Sequence, residues 1–152
     1  DVILGYTFAF GLLAIVQSLI ASSVAIWLLG MDVAGPQWFV VVVALCDALL
    51  GTALGLFVSA FARTEFQAVQ FMPALIFPQF LVCGLLVPLE KMPDLLEKIA
   101  YWLPLTYAVD ALNRVTREVD LSSEAWRDVW VVLAFVVGAI ILGALTLRRR
   151  EK

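Results

Sequence analysis

Four long stretches almost without charge are the feature that most limits what this chain can fold into. Residues 2–31, 66–89 and 129–147 contain no charged side chain, and residues 37–62 contain only Asp47. A helix needs about 20 apolar residues to cross roughly 30 Å of hydrocarbon, and every stretch is close to that length or longer. Hydrophobic residues make up 63% of the chain and charged residues 15%, against about 45–50% and roughly 25% in globular domains. The sequence therefore predicts an integral membrane protein and not a soluble domain.

The predicted fold is all-α, a polytopic membrane helix bundle with about four transmembrane helices in a single transmembrane domain, residues 1–152. The expected spans are about residues 3–30, 37–61, 66–87 and 129–147. The chain begins at Asp1 directly before an apolar run, with no basic segment and no cleavage site, so we expect a piece of a longer protein and not a signal peptide.

Residues 88–126 form an outer loop that is expected to be helical. Apolar residues recur at helical spacing over residues 93–103, and Pro104 is expected to end this helix. A second short helix is expected over residues 105–119, with Thr106 as a candidate N-cap and with Asp110, Arg114 and Glu118 at the i,i+4 spacing of ion pairs. Both segments suit amphipathic or re-entrant helices on the outer face of the bundle.

Basic residues bear on the orientation of the chain. Four crossings place Arg63 and the tail, residues 148–152, on one side, and that side carries five basic residues. The segment between the third and fourth predicted spans, residues 88–128, also carries five, so the count is a tie. The tail residues are densely clustered at a helix end, whereas those of the loop are mixed with acids. We therefore expect both termini in the cytoplasm and a multi-pass protein of the cell membrane.

Motifs for catalysis are absent from the sequence. It has no His, no cysteine cluster and no GxxxxGK(S/T) phosphate loop, so this chain is not expected to be an enzyme, to bind a metal or to hydrolyse ATP. Cys46 and Cys83 lie in apolar segments and are expected to be buried thiols.

Asp47 is the most informative single residue. An acid in the middle of a span costs about 2.5–3.5 kcal/mol on insertion scales. Asp47, Gly51, Gly55 and Ser59 recur at i,i+4, and Gly51 and Gly55 form a GxxxG motif, so this face of the helix is expected to pack against another helix. Asp47 either contacts a substrate or makes a hydrogen bond across a helix interface; the sequence leaves both interpretations open.

Pro73 and Pro78 interrupt the third predicted span. Each removes a backbone donor and can kink the helix. The kinks suit a hinge in a transport pathway, and equally a static bundle.

Two segments resemble a known family. Residues 78–93, PQFLVCGLLVPLEKMP, followed by residues 103–112, LPLTYAVDAL, resemble the signature of ABC-2 type transporter permeases, in particular the drug-export permeases related to the daunorubicin-resistance group. Gly5, Tyr6 and Gln17 resemble the start of the third span of that family, and residues 59–68 its turn between spans four and five. The resemblance implies that the chain covers spans three to six of a six-span permease.

Several expectations follow from this resemblance. The chain would be a permease subunit of a bacterial ABC exporter for a hydrophobic or amphipathic substrate such as a drug, as in antibiotic resistance, a lipid or a glycoconjugate. ATP would be bound by a separate cytoplasmic subunit, and a second permease half would complete a homo- or heterodimer in the bilayer, with no nucleic acid. Gln79, Gly84 and Pro88 would lie at the outer gate. Asp47 is not part of the family pattern. The alternative is a non-transporting scaffold or regulatory subunit that assembles through small-residue helix faces.

Overall fold

A computed structural model describes residues 2–62 and 64–150, without the side chains of residues 2–4, 7 and 147–150. Arg63 and the side chains of the basic tail, on which the predicted orientation rests, lie outside the described residues. The described chain is all-α, as predicted, and contains no strand. Its elements are α1 (Val2–Ser23), a π-helical turn (Val24–Leu28), α2 (Gln37–Phe61), α3 (Glu65–Val82), a 3₁₀ turn (Leu89–Lys91), α4 (Asp94–Ala100), α5 (Pro104–Arg117) and α6 (Ser123–Arg150).

Three helical segments of the described chain are long and apolar enough to cross a membrane: Phe8–Leu28, Gln37–Phe61 and Ser123–Thr146. The second agrees with the prediction of residues 37–61. The first helical run ends at Leu28 and not at residue 30, where Gly30 turns the chain with a φ of +65°. The last helix begins at Ser123, before the predicted residue 129, because Ser122 accepts a hydrogen bond from the Ala125 amide and starts the helix there.

The predicted span over residues 66–87 differs most from the structure. Helix α3 ends at Val82, and the chain bends over residues 83–87, where Gly84 has a φ of +91°. An 18-residue helix is roughly 27 Å long, which is close to the thickness of the hydrocarbon layer. Helix α3 follows the end of α2 and leads to α4 and α5 at the opposite end of the bundle. Its course therefore suits a crossing, which stays a prediction.

Helix α2 lies at the centre of the bundle, in contact with α1, α3, α5 and α6. It runs parallel to α6. Near the start of both helices the rings of Phe39 and Trp126 lie 5.3 Å apart, edge to face. Near their ends a Cβ on Gly143 would lie 3.5 Å from the Phe57 Cα. Gly143 is thus a point of close helix approach that only a small residue allows.

Small and β-branched side chains form the core between α2, α5 and α6. On α2 the buried positions recur every three or four residues, as expected for one face of a helix. In a membrane such side chains stabilise by close packing, because lipid tails are as apolar as the core. The core contains Phe39, Val40, Val43, Cys46, Leu50, Ala53, Ala108, Ala111, Val115, Ala125, Val129, Val132, Val136 and Ala139.

Tryptophans mark one end of the bundle. All five tryptophans of the sequence are exposed, and all lie near the α1–α2 turn, the α4–α5 turn or the start of α6: Trp27, Trp38, Trp102, Trp126 and Trp130. Aromatic rings of this kind gather where hydrocarbon meets the head groups. This end, here called the outer end in line with the predicted orientation, therefore suits a membrane interface.

The outer loop contains the expected short helices, but two details of the prediction are wrong. Helix α4 stops at Ala100, so Pro104 does not end it. Pro104 is the first residue of α5, a position where a backbone N–H would have no acceptor within the helix, so that proline costs nothing there. Thr106 is not the N-cap, because Leu103 occupies that position. The Thr106 hydroxyl instead donates to the Ala100 carbonyl at 2.7 Å and satisfies the end of α4.

The α1–α2 turn is attached to the end of α5. The backbone amide of Gly35 donates to the Val115 carbonyl at 2.9 Å, and the amide of Ala34 donates to the Thr116 carbonyl at 3.3 Å. A Cβ on Gly35 would lie 2.8 Å from the Glu118 carbonyl oxygen and 2.9 Å from that of Val115. Only glycine fits at this contact.

Arg114 joins α5 to α6. The two predicted pairs are present, at 3.1 Å to Asp110 and 3.8 Å to Glu118. Arg114 also pairs with Glu124 and, at 3.5 Å, with Asp128 on α6. Burial alone would lower the pKa of Arg114, but the carboxylates of Asp110, Glu124 and Asp128 raise it, and the net shift is upward. The guanidinium therefore stays charged and holds the two helices together.

Removal of this guanidinium is expected to loosen the outer end. Asp128 is fully buried, and one of its oxygens has no hydrogen bond. Without Arg114 the only ion-pair partner of this carboxylate among the described residues is the exposed Arg127, at 3.0 Å. We expect Arg114→Ala to destabilise the protein by about 2–3 kcal/mol, less than for a fully buried pair because Arg114 is partly exposed; the measurement is a lower melting temperature in detergent. Arg117→Ala, on the same helix and with no ion pair among the described residues, is the control; equal losses in both variants would contradict the role of the pair.

Two glycines are expected to respond oppositely to a methyl group. Gly35→Ala forces the backbone of the α1–α2 turn away from α5, at a cost of about 1–3 kcal/mol. The methyl group of Gly51→Ala enters open space in the middle of α2. Alanine also favours the helix over glycine, and the folded state gains up to about 1 kcal/mol. Melting temperatures of the two variants should therefore move in opposite directions, and a stable Gly35→Ala variant would show that the contact is not rigid.

Candidate functional site

The face of α2 turned away from the core lines an open cleft. The cleft has a volume of about 720 Å³ and lies between α1, α2 and α3. This volume is large enough for a molecule of drug size. Most of the wall is apolar or built from small residues. Its lining residues are Phe10, Leu13, Ala14, Gln17, Ser18, Ala21, Ala44, Asp47, Ala48, Gly51, Thr52, Gly55, Leu56, Ser59, Ala68, Val69 and Met72.

Asp47 is the one charged residue among the described residues that line the cleft. It follows Cys46, which faces the core, and its own position on the helix turns it toward α1. Its side chain is partly buried, and in the described chain it makes no hydrogen bond and no ion pair. Of the two interpretations left open by the sequence, the hydrogen bond to a neighbouring helix is therefore not formed within the described residues.

The four small or polar residues predicted to share a face do share it. Asp47, Gly51, Gly55 and Ser59 all line the cleft. The predicted close packing of a helix against the GxxxG motif is not seen at Gly51, where a Cβ would meet nothing within 4 Å. At Gly55 it would lie 3.2 Å from the Met72 methyl group, the end of a flexible side chain. The motif thus forms the floor of a cleft, and α3 approaches this floor at Gly55 through Met72.

Polar groups other than Asp47 also reach the cleft. The hydroxyls of Ser18 and Thr52 donate to carbonyls of their own helices, Ile15 and Ala48. The side chains of Gln17 and Ser59 are exposed and have no hydrogen bond within residues 2–62 and 64–150. Both remain available to a ligand. Gln17 was not predicted from the sequence as a candidate site residue. Its place in the cleft depends on the packing of α1 against α2, which only the tertiary structure shows.

A second, smaller cavity adjoins the cleft at Asp47. It has a volume of about 250 Å³ and shares Ala21, Ala44 and Asp47 with the cleft. On its outer side it is covered by α5, through Leu105, Ala108, Val109 and Leu112. Asp47 therefore lies between a cleft bounded by three predicted spans and a mainly apolar cavity bordered on one side by the outer helix α5. The spacing of these α5 residues is amphipathic in the sequence, but nothing in the sequence says what they cover.

The remaining candidate residues do not line the cleft. Gln79 is buried in α3, and its amide donates to the Leu75 carbonyl at 3.2 Å. Gly84 forms the turn after α3, where a Cβ would lie 3.3 Å from Leu89, and the exposed Pro88 precedes the 3₁₀ turn. Gly84 and Pro88 lie in the connection from α3 to the outer helices, Gln79 lies in the last turns of α3, and none of the three lines a cavity with Asp47.

The two candidate hinge residues lie inside α3, which continues through both. Pro73 directly follows Met72, the last α3 residue of the cleft. Pro78 precedes Gln79, which is the only fully buried residue of this helix among those described. A hinge at either proline would thus move one wall of the cleft, and this role stays a prediction.

Comparisons with known proteins bear on what the cleft does. The model of the ABC-2 type transporter family matches residues 1–115, from α1 through most of α5. The chain is 29% identical over 142 residues to ABC transporter G family member 20 of Dictyostelium discoideum, and 25% identical over 144 residues to the linearmycin resistance permease protein LnrN of Bacillus subtilis strain 168. These matches cover 92% and 95% of this chain, but it spans 20% and 37% of the lengths of those relatives. No solved structure matches.

Chemical labelling can test whether the cleft is open. In a Cys46→Ala, Cys83→Ala background, we expect a cysteine introduced at Gly51 to react rapidly with a small methanethiosulfonate reagent, because this position faces open space. The matched control is Ala53→Cys, two residues further along α2, where the side chain is 1% exposed and packed in the core. Equal labelling of the two positions, measured by mass spectrometry in membranes, would show that the cleft is closed in the assembled protein.

Proposed function

The chain belongs to the ABC-2 type transporter family, and from this we propose that it forms part of the membrane-spanning permease of an ABC exporter. The chain is a multi-pass membrane protein, and its family is a transporter component and not a class of enzymes. The proposal adds that the permease moves a hydrophobic or amphipathic substrate outward with energy from ATP, which is bound and hydrolysed by a partner.

The observation that carries this proposal is the cleft between α1, α2 and α3. A volume of about 720 Å³ falls within the range of about 300–1,000 Å³ that is usual for small-molecule sites. Apolar walls with few polar groups suit a substrate that partitions into the membrane. The name of the Bacillus relative refers to resistance to linearmycin, and this supports a substrate of the antibiotic class among drugs, lipids and glycoconjugates.

A division of the bundle into a fixed and a mobile part supports a transport cycle. Helices α2, α5 and α6 share the core, and Arg114 and the Gly35 contact hold their outer ends together. Helix α3 buries little of its surface and carries two prolines. We propose that α3 moves against the fixed unit and so widens or narrows the cleft. ATP binding by the partner would shift the population between these two packings.

The remaining parts of the proposal concern the assembly. An ATP-binding partner would lie on the cytoplasmic side, where the basic residues at positions 148–152 are expected, and a second permease half would complete the pathway. The tryptophan-rich end with α4 and α5 would then face outward. Gln79, Gly84 and Pro88 would link α3 to these outer helices, so that the movement of α3 reaches the outer gate.

A substitution that fills the cleft tests this function. The complete transporter, purified with its ATP-binding partner, would be reconstituted in liposomes. ATP-driven uptake of a fluorescent amphiphile would be measured for the transporters whose cytoplasmic side faces outward. We expect Gly51→Leu to reduce uptake roughly tenfold, because the added side chain occupies the cleft and overpacking weakens binding by about 1–3 kcal/mol, while the complex still assembles. Gly138→Leu is the matched control, because Gly138 on α6 also faces open space but lies outside the cleft.

A scaffold or regulatory subunit is the second candidate, because the open face at Gly51 could also receive a helix of a partner. The two candidates predict different results for the same variants. In a scaffold, Gly51→Leu would prevent assembly of the complex, and the wild-type complex would show no ATP-dependent uptake. Retained assembly with lost uptake supports the permease.

A further inference from the structure

The single unpaired carboxylate of the cleft points to the chemical class of its ligand. We propose that Asp47 binds the positively charged head group of an amphiphilic substrate, while the apolar part of that substrate occupies the cleft and the cavity beneath α5. This inference rests on the proposed function and adds to it a substrate class, cationic amphiphiles, and a residue that selects it.

The position of Asp47 makes an unpaired charge costly. It lies ten residues after the start of α2, roughly 15 Å into the helix, and so near the middle of a span. No basic residue lines either cavity among the residues that the structure describes. A carboxylate at such a depth needs a counter-charge, a hydrogen-bond donor or a proton. A ligand with a positively charged nitrogen supplies the counter-charge.

Small side chains leave room for such a head group beside the carboxylate. Ala44, Ala48 and Gly51 surround Asp47 on α2, and Ala21 faces it from α1. None of these side chains extends beyond a methyl group, so a substituted ammonium group can approach the carboxylate oxygens. The exposed amide of Gln17, one helical turn before Ala21 on α1, is available to a polar group attached to the same head.

The two cavities provide apolar surface on either side of this point. The smaller cavity is walled by Val40, Val43 and four apolar or small residues of α5, and the cleft extends toward Phe10, Leu13 and Val69. A head group at Asp47 would thus stand between two apolar compartments. That arrangement fits a molecule with one localised positive charge and an aliphatic or aromatic body. An anionic amphiphile would meet repulsion from Asp47 with no cation to offset it.

Stimulation of ATP hydrolysis by three amphiphiles with the same tail tests the inference. The complete transporter with its ATP-binding partner, reconstituted in liposomes, would be titrated below micellar concentrations with dodecyltrimethylammonium, neutral N-dodecylacetamide and dodecyl sulfate. We expect dodecyltrimethylammonium to act at the lowest concentration. Asp47→Asn, which has the same shape without the charge, should raise its half-maximal concentration by about tenfold, as for a lost buried charge pair. The value for N-dodecylacetamide should not change, and Asp47→Glu should retain the preference for the cation.

Protection from labelling gives a second measurement at the same site. In the Cys46→Ala, Cys83→Ala background, a neutral methanethiosulfonate reagent labels the cysteine of Gly51→Cys, one turn from Asp47. Dodecyltrimethylammonium should slow this labelling severalfold, and N-dodecylacetamide at the same concentration should slow it less. Adding Asp47→Asn should remove the difference between the two amphiphiles.

The results distinguish the inference from the proposed function. If the neutral and cationic amphiphiles stimulate equally and Asp47→Asn changes neither, Asp47 is protonated and the inference is overturned, while the permease function stands. If Asp47→Asn prevents assembly of the complex, a basic group of a partner is its counter-charge, and the inference is again overturned. If none of the three amphiphiles stimulates the wild-type complex or is transported, the proposed function fails with it.

Discussion

The packing of α2 against α5 and α6 is the contact on which the rest of this bundle depends. It joins a face of valine, alanine, cysteine and leucine side chains on α2 to similar faces on two helices that begin more than forty residues after α2 ends. Since apolar surface gains little from leaving lipid, this contact depends on close fit. Gly143, against the backbone of Phe57, shows how close the fit is. Once this face is buried, the opposite face of α2 is left to α1 and α3.

Electrostatic contacts hold the same three helices at their outer end. Arg114 lies among four carboxylates, two from α5 and its C-cap and two from α6, and the buried Asp128 forms ion pairs with Arg114 and Arg127. Backbone hydrogen bonds from the α1–α2 turn to Val115 and Thr116 complete this end. The outer helix α5 is therefore a fixed cover over the small cavity beside Asp47, and its attachment leaves α3 as the less firmly packed wall of the cleft.

The proposed transport function follows from this asymmetry of α2. One face packs against α5 and α6 in the core, and the other places a carboxylate, two glycines and a serine in the wall of the cleft. A site on a rigid helix with a movable wall can bind a substrate in one packing and release it in another. The proposed preference for cationic amphiphiles would then be decided by Asp47, which belongs to the fixed wall.

The sequence by itself determined the membrane class, the all-α fold, the bounds of α2 and the residues that share a face with Asp47. These depend on apolar length and on the 3.6-residue period of a helix, which are local properties. The tertiary structure decided what each face meets. Because the GxxxG pattern records side-chain size and not the neighbour, it could not show that Gly51 faces an open cleft and that Gly143 marks the close approach. Likewise, Arg114 was paired correctly within α5, but its partners on α6 depend on how the chain turns back after residue 117, which no local spacing encodes.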